Sequence, residues 1–137
     1  MATRRAEAPP PRLILDAGAV IALSRSDARA RAVLAAAVEA GADISIPAVV
    51  IAETVRGVAV DAPVNRVVKA VGEVDVATET IGRTAGRLLG EAGSSSTVDA
   101  IVIATAVEAA GAVILTGDPS DLGALAARHR EVVVQAL

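Results

Sequence analysis

The chain contains no phenylalanine, tyrosine or tryptophan. Its interior must therefore be filled by Val, Leu, Ile and Ala, and the rings on which many single-strand binders stack bases are missing. Cysteine is absent too, which excludes disulfides and thiolate metal sites and is compatible with a reducing cytoplasm. The single histidine, His129, has no partner in the sequence pattern and is assigned no catalytic role.

Long apolar runs are also lacking. Hydrophobic residues make up 53% of the 137 positions, yet no run approaches the ~18 residues a membrane helix requires. The longest stretches, Ile46–Ala52 and Ala100–Val107, are short and carry or adjoin acids. Arg4-Arg5 could open an export signal, but Glu7 and Pro9-Pro10-Pro11 stand where its apolar segment should be. The expectation is a soluble cytoplasmic protein with no membrane contact. An excess of base is missing as well: 16 acids face 13 Lys and Arg, for a net charge of −3. A protein that coats nucleic acid is usually basic, so what remains open is an enzyme with an acidic centre and a local basic rim.

What is present is an alternation of strand and helix signals. Residues 1–11 read as a flexible tail and 12–137 as one domain, long enough for a core without staples. Leu13–Leu15, ending at Asp16, reads as a buried parallel strand. A short helix follows over Ala17–Leu23, then an alanine-rich one capped by Asp27 and stopped at Gly41. Further strands are expected at Asp43–Ile46, Glu73–Ala77, Ala112–Leu115 and Glu131–Val134. Helices fall between them: one opened by Pro47 and running to about Gly57, then Asp61–Val71, Thr78–Ala92, Thr97–Ala110 and Pro119–Ala127. Strands alternating with helices imply the α/β class, with a parallel sheet covered on both faces. Gly82, Gly86 and Gly90 form a ridge on one helix that suits close packing, including across a dimer, and Arg83 and Arg87 beside it read as a solvated face.

Four acids stand out, and each has an ordinary reading. Asp16 after the first strand is placed to cap a helix. Asp118 before Pro119 marks a normal helix start, with Asp121 in its first turn. Ser96-Thr97-Val98-Asp99 can be a variant capping box. Glu53 fits less easily, because it lies inside its helix one turn beyond Val49 and Val50. A carboxylate on such a stripe needs a partner, which Arg56 or a metal would supply. On the Thr97 helix, Asp99 and Glu108 are nine residues apart and so on opposite faces; if Glu108 faces water, Asp99 points inward.

Together the acids say more. Ligands of open parallel sheets bind beyond the carboxyl ends of the strands, where the strand order reverses. Asp16 and Asp118 follow strands at that edge, the start of the Asp99 helix lies on the same rim, and Glu53 can reach it. Crowded carboxylates raise one another's pKa unless a cation neutralises them. A site of carboxylates alone suits Mg²⁺ or Mn²⁺ rather than zinc.

At LILDAGAVIAL around Asp16, IPAVVIAETVRG around Glu53, SSSTVDAIVIATAV around Asp99 and AVILTGDPSDLGAL around Asp118, the chain resembles the PIN-domain family. Within it, the chain is similar to the VapC-type toxins of bacterial toxin–antitoxin pairs. The resemblance runs from Leu13 to the C-terminus. It implies a five-stranded parallel sheet ordered 3-2-1-4-5 and Mg²⁺- or Mn²⁺-dependent cleavage of single-stranded RNA. Asp16, Glu53, Asp99 and Asp118 would be the metal-binding catalytic acids, supported by Thr116 and Asp121. It further implies a homodimer and a small antitoxin partner. Three positions depart from the family's habit: Ala17-Gly18 stand where small hydroxyl or amide residues are common, and Leu122 where an aromatic is frequent.

Because an acidic site repels phosphate, RNA must be gripped by arginines near the rim, and Arg25, Arg29 and Arg31 are the candidates. Other doubly wound enzymes fit less well. A phosphoacceptor receiver needs an acidic pair after the first strand and a late lysine, but Lys69 is the only lysine. A haloacid-dehalogenase-type phosphatase needs an Asp where Gly18 stands, and there is no P-loop. The rival from another class is a catalytically silent PIN-like scaffold acting through dimerisation and protein binding.

Overall fold

The computed structural model describes residues 11–137; the tail expected over 1–11 lies outside them except for Pro11. Five strands, β1 (Arg12–Leu15), β2 (Asp43–Pro47), β3 (Val74–Asp75), β4 (Ala112–Thr116) and β5 (Val132–Ala136), form one sheet in the order β3-β2-β1-β4-β5. Every pairing is parallel. Seven helices flank it: α1 (Ala17–Ser24), α2 (Ala28–Glu39), α3 (Ala48–Thr54), α4 (Ala62–Val71), α5 (Glu79–Ala92), α6 (Thr97–Glu108) and α7 (Pro119–Ala126). The expected class and strand order are both found.

β1 is the central strand, and Leu13, Ile14 and Leu15 are all buried although successive side chains point to opposite faces. Both faces are therefore covered, which is why the strand reads as a continuous apolar run. Without aromatics, closeness replaces bulk. α6 buries Ala100, Ala104 and Ala106 beside Val102 and Ile103, so its backbone can lie near its neighbours. Leu122, at the position where an aromatic was noted as frequent, is fully buried.

Local signals hold where they involve neighbouring residues. The Asp27 carboxylate accepts from the Ala30 N–H at 2.9 Å, and the Thr78 hydroxyl from the Ile81 N–H at 3.2 Å. Gly41 and Gly93 end their helices at φ +73° and +61°, a region open to glycine at little cost.

Several boundaries differ from expectation. Pro47 closes β2 instead of standing inside a helix, and α3 stops at Thr54, not near Gly57. The cause is Asp61, which is buried and accepts hydrogen bonds from the backbone N–H groups of Arg56 (2.9 Å), Gly57 (2.8 Å) and Val58 (3.1 Å). Those donors serve the Asp61 carboxylate rather than a continuing helix. β3 is only two residues long, with Val74 and Asp75 paired to Ile46 and Pro47 of β2. β5 runs past Val134 to Ala136, since Thr116 of β4 supplies a partner there. Among the described residues, a side chain at Gly82, Gly86 or Gly90 would meet open space. Arg83 and Arg87 pair with Glu79 and Glu91 one turn away, as a solvated face does.

Candidate active site

Strand order reverses between β1 and β4, and their carboxyl ends carry the first and last acids. The Asp16 N–H donates to the Leu115 carbonyl at 3.0 Å, extending the β1–β4 pairing by one residue. Asp16 then opens α1 but makes no side-chain cap bond. Its buried carboxylate instead accepts from the Thr116 hydroxyl, Oγ1 to Oδ2 at 2.8 Å. The same hydroxyl oxygen accepts the Asp118 N–H at 3.0 Å. One side chain thus links the acid after β1 to the loop that carries the acid after β4.

Asp118 precedes α7 without a side-chain cap bond, and its Oδ1 accepts from the Ser120 hydroxyl at 3.3 Å. The Ser96 side chain makes no cap bond either, and its backbone N–H, which the Asp99 carboxylate would take in a capping box, is held by the Ser94 hydroxyl at 3.1 Å; the capping box is not formed. Asp99 is therefore not tied up at its helix start. Glu108 is exposed and accepts from the buried Thr84 hydroxyl at 2.7 Å, the arrangement that turns Asp99 the other way.

Glu53 requires a correction. It is exposed rather than embedded in an apolar stripe, and Arg56 does not pair with it. The Arg56 guanidinium donates to the Ala52 and Val55 carbonyls at 3.1 and 2.8 Å. α3 packs on α1 and α6, which sets Glu53 between the helices associated with Asp16 and Asp99.

Electrostatics tie the group together. Burial, followed by the charges of Asp16, Glu53, Asp121 and Asp118, pushes the Asp99 carboxyl up to about 6. Partial burial of its carboxyl, with Asp16 adding, raises Glu53 as well. All four expected acids and Asp121 thus share one field. They are not drawn into a coordination shell: among the described residues, no three such side chains stand close enough to ligate one ion. The donor set still fits a hard divalent cation. It consists of carboxylates alone, in a repulsive field that positive charge would relieve, and Mg²⁺ commonly binds through one or two carboxylates with water completing its shell.

The expected RNA-gripping arginines are exposed, and none of the three forms a salt bridge among the described residues. Arg25 follows the eight-residue α1, about 12 Å along the helix from the Asp16 end. Arg29 and Arg31 lie in α2, and Arg31 lines the groove between α1, α2 and α4. His129 pairs with Glu131 at 3.1 Å. Two contributors were not anticipated. Ser120 was legible only as a hydroxyl two residues after an acid. Gly18, a departure from the family's habit, lies against the Gly117 backbone.

A doubly wound parallel sheet with carboxylates gathered at its switch point defines an α/β domain with an acidic centre. Residues 13–127 match the PIN domain model, and the chain belongs to the PIN domain family. No curated protein matches the chain. Solved structures share the fold. VapBC2 from Rickettsia felis, bound to a DNA fragment from their promoter, superposes with a TM-score of 0.72 at 13% identity, covering 92% of this chain and 98% of that one. A toxin–antitoxin complex from Klebsiella pneumoniae gives 0.68 at 20% identity, covering 88% and 95%. FitAB bound to the IR36 DNA fragment gives 0.66 at 18% identity, covering 90% and 94%.

Proposed function

We propose that the protein is a metal-dependent endoribonuclease that cleaves single-stranded RNA in the cytoplasm, as the toxin of a toxin–antitoxin pair. The observation that carries this reading is the gathering of Asp16, Glu53, Asp118 and Asp121 around the partly buried Asp99, whose carboxyl is pushed up to about 6 by burial and then by their charges. A fold of this kind has no structural use for five mutually repelling carboxylates at one sheet edge, whereas a cation site does.

Asp16, Asp99 and Asp118 would hold Mg²⁺ or Mn²⁺, with Glu53 binding directly or through water. Bound there, the ion would supply charge neutralisation on phosphate and a more acidic water. The chain's own contribution is orientation: Thr116 fixes the Asp16 carboxylate, and Ser120 holds Asp118. Glu53, exposed at the rim, can accept a proton at its carboxylate from a water facing the substrate. Attack by water gives 5′-phosphate and 3′-hydroxyl ends and needs no ribose 2′-hydroxyl. Preference for RNA would then come from contacts, with Arg25, Arg29 and Arg31 as exposed cations that a long strand could reach.

An antitoxin suits the surface. An apolar groove of about 540 Å³ lies between α1, α2 and α4, lined by Leu34, Val38, Ile44, Val67 and Val71 and edged by Arg31, Asp43 and Glu73. Such a groove accepts an amphipathic helix. A homodimer completes the reading, and the open glycine face of α5 permits close helix approach.

The test is incubation of bacterial RNA with purified protein and Mg²⁺ or Mn²⁺, with new 5′ ends mapped by sequencing. Defined 5′-phosphate ends that vanish with a chelator and in Asp99→Asn are expected. Absence of both cleavage and Mn²⁺ binding by calorimetry would sink the nuclease reading in favour of the silent scaffold.

A further inference from the structure

Gly18 lies in the first turn of α1 with an ordinary negative φ, so conformational freedom does not explain it. Glycine is also a poorer helix former than alanine. The explanation is space. A Cβ placed on Gly18 would lie 2.7 Å from the Gly117 nitrogen and 3.0 Å from its Cα. Both are backbone atoms, so neither can swing aside. The relation is one-sided: a Cβ on Gly117 would meet only ordinary contacts, the Gly18 Cα at 3.6 Å and Leu137 Cδ1 at 3.8 Å.

Gly117 joins Thr116 to Asp118 in the loop after β4. Its upstream neighbour is anchored, because the Leu137 N–H donates to the Thr116 carbonyl at 3.0 Å. Opening the 2.7 Å contact to an ordinary 3.4 Å needs a shift on the order of 0.7 Å, and with the Thr116 carbonyl bonded to Leu137 that shift falls on the Asp118 side of the loop. The Asp118 N–H to Thr116 Oγ1 bond, now 3.0 Å, would then pass out of hydrogen-bonding range. We propose that Gly18 is a positioning residue of the acidic site: its missing side chain lets the Gly117 backbone close on α1, so that Thr116 holds Asp16 and Asp118 at one spacing. The departure at position 18 is thereby a fitted contact rather than a lost hydrogen bond. Its consequence for metal binding rests on the nuclease reading above; the contact itself does not.

The test compares the full chain with Gly18→Ala, using Gly86→Ala in α5 as a control helix glycine with open space around it. Calorimetry with Mn²⁺ is expected to show affinity reduced about 10-fold or more in Gly18→Ala, with Gly86→Ala within about twofold of wild type. Amide exchange at Asp118, read by NMR, is expected to quicken in Gly18→Ala alone, a change that a general loss of stability would spread over the whole sheet. Unchanged affinity and unchanged Asp118 exchange in a folded Gly18→Ala overturn the proposal. Should the wild type bind no Mn²⁺, the metal reading fails, and Asp118 exchange alone decides the role of Gly18. Should Gly18→Ala not fold, the wild-type cross-peak between the Gly18 Hα and the Gly117 amide proton decides: its presence supports the close approach and its absence overturns it.

Discussion

Thr116 and Asp16 are one hundred residues apart in the chain, and the hydroxyl of the first donates to the carboxylate of the second at 2.8 Å in a buried setting. Thr116→Val keeps the shape and removes the donor, leaving a buried carboxylate oxygen unsatisfied. That costs about 1–3 kcal/mol in urea unfolding and weakens Mn²⁺ binding by about 10–100-fold. Thr116→Ser retains the hydroxyl and should recover most of both. Equal losses in Val and Ser variants would remove the hydrogen bond from the explanation.

The Asp99 carboxyl is raised from an ordinary 3.8 to about 6 by burial and by four neighbouring acids. The folded state therefore holds this proton more tightly than the unfolded chain. Stability of the metal-free protein falls as pH rises through the window from 3.8 to about 6, and the penalty is complete above it. Metal-free Asp99→Asn should melt higher than wild type at pH 8, with the gap closing below the lower end of that window. A constant gap across the range would contradict the shared field.

The same proton competes with a metal. Ligation needs the carboxylate, so Mn²⁺ affinity should fall about tenfold per pH unit below 6 if one proton is displaced. Proton release measured in two buffers of different ionisation enthalpy tests this directly. Binding that releases no proton at pH 6 would mean that Asp99 is not a ligand.

Asp61 behaves in the opposite way. Backbone donors from Arg56, Val58 and Gly57 hold its carboxyl below the ordinary range. The resulting stability is present above the unfolded value and is lost as pH falls through the lower folded one. Asp61→Ala should lower the melting temperature at pH 7, with the difference from wild type shrinking under strong acid. It should also loosen the 55–61 segment in hydrogen exchange, without changing Mn²⁺ affinity.

Leu122 is fully buried. Leu122→Ala should cost about 2–5 kcal/mol through the cavity it leaves. Leu122→Phe should cost about 1–3 kcal/mol by overpacking, because this aromatic-free core is fitted to aliphatic side chains. A neutral Phe would reveal slack around α7, and urea melts distinguish the cases.

Alternation of apolar runs with capped helices was enough to read the layers, and signals between near neighbours, such as Asp27 to Ala30 or glycine after α2, came out as expected. Element ends set by a distant partner did not: α3 stops where Asp61 collects its donors, and β5 runs on to Ala136 because Thr116 of β4 pairs with it. For the acids, residue types and motif order named the group. Whether each was a cap or a free carboxylate depended on which donor it found. Asp16 found Thr116, Ser96 lost its amide to Ser94, and Glu53 proved exposed.

The sequence by itself determined the alternating parallel architecture, the aliphatic core and the identity of the gathered acids, because these follow from periodicity, composition and spacing along one chain. Only the tertiary structure decided that Thr116 bridges Asp16 to the Asp118 loop, that four other carboxylates act on Asp99, and that Gly18 must lack a side chain. Each of these depends on a through-space distance of a few ångströms between segments far apart in sequence, and local propensity carries no information about such distances.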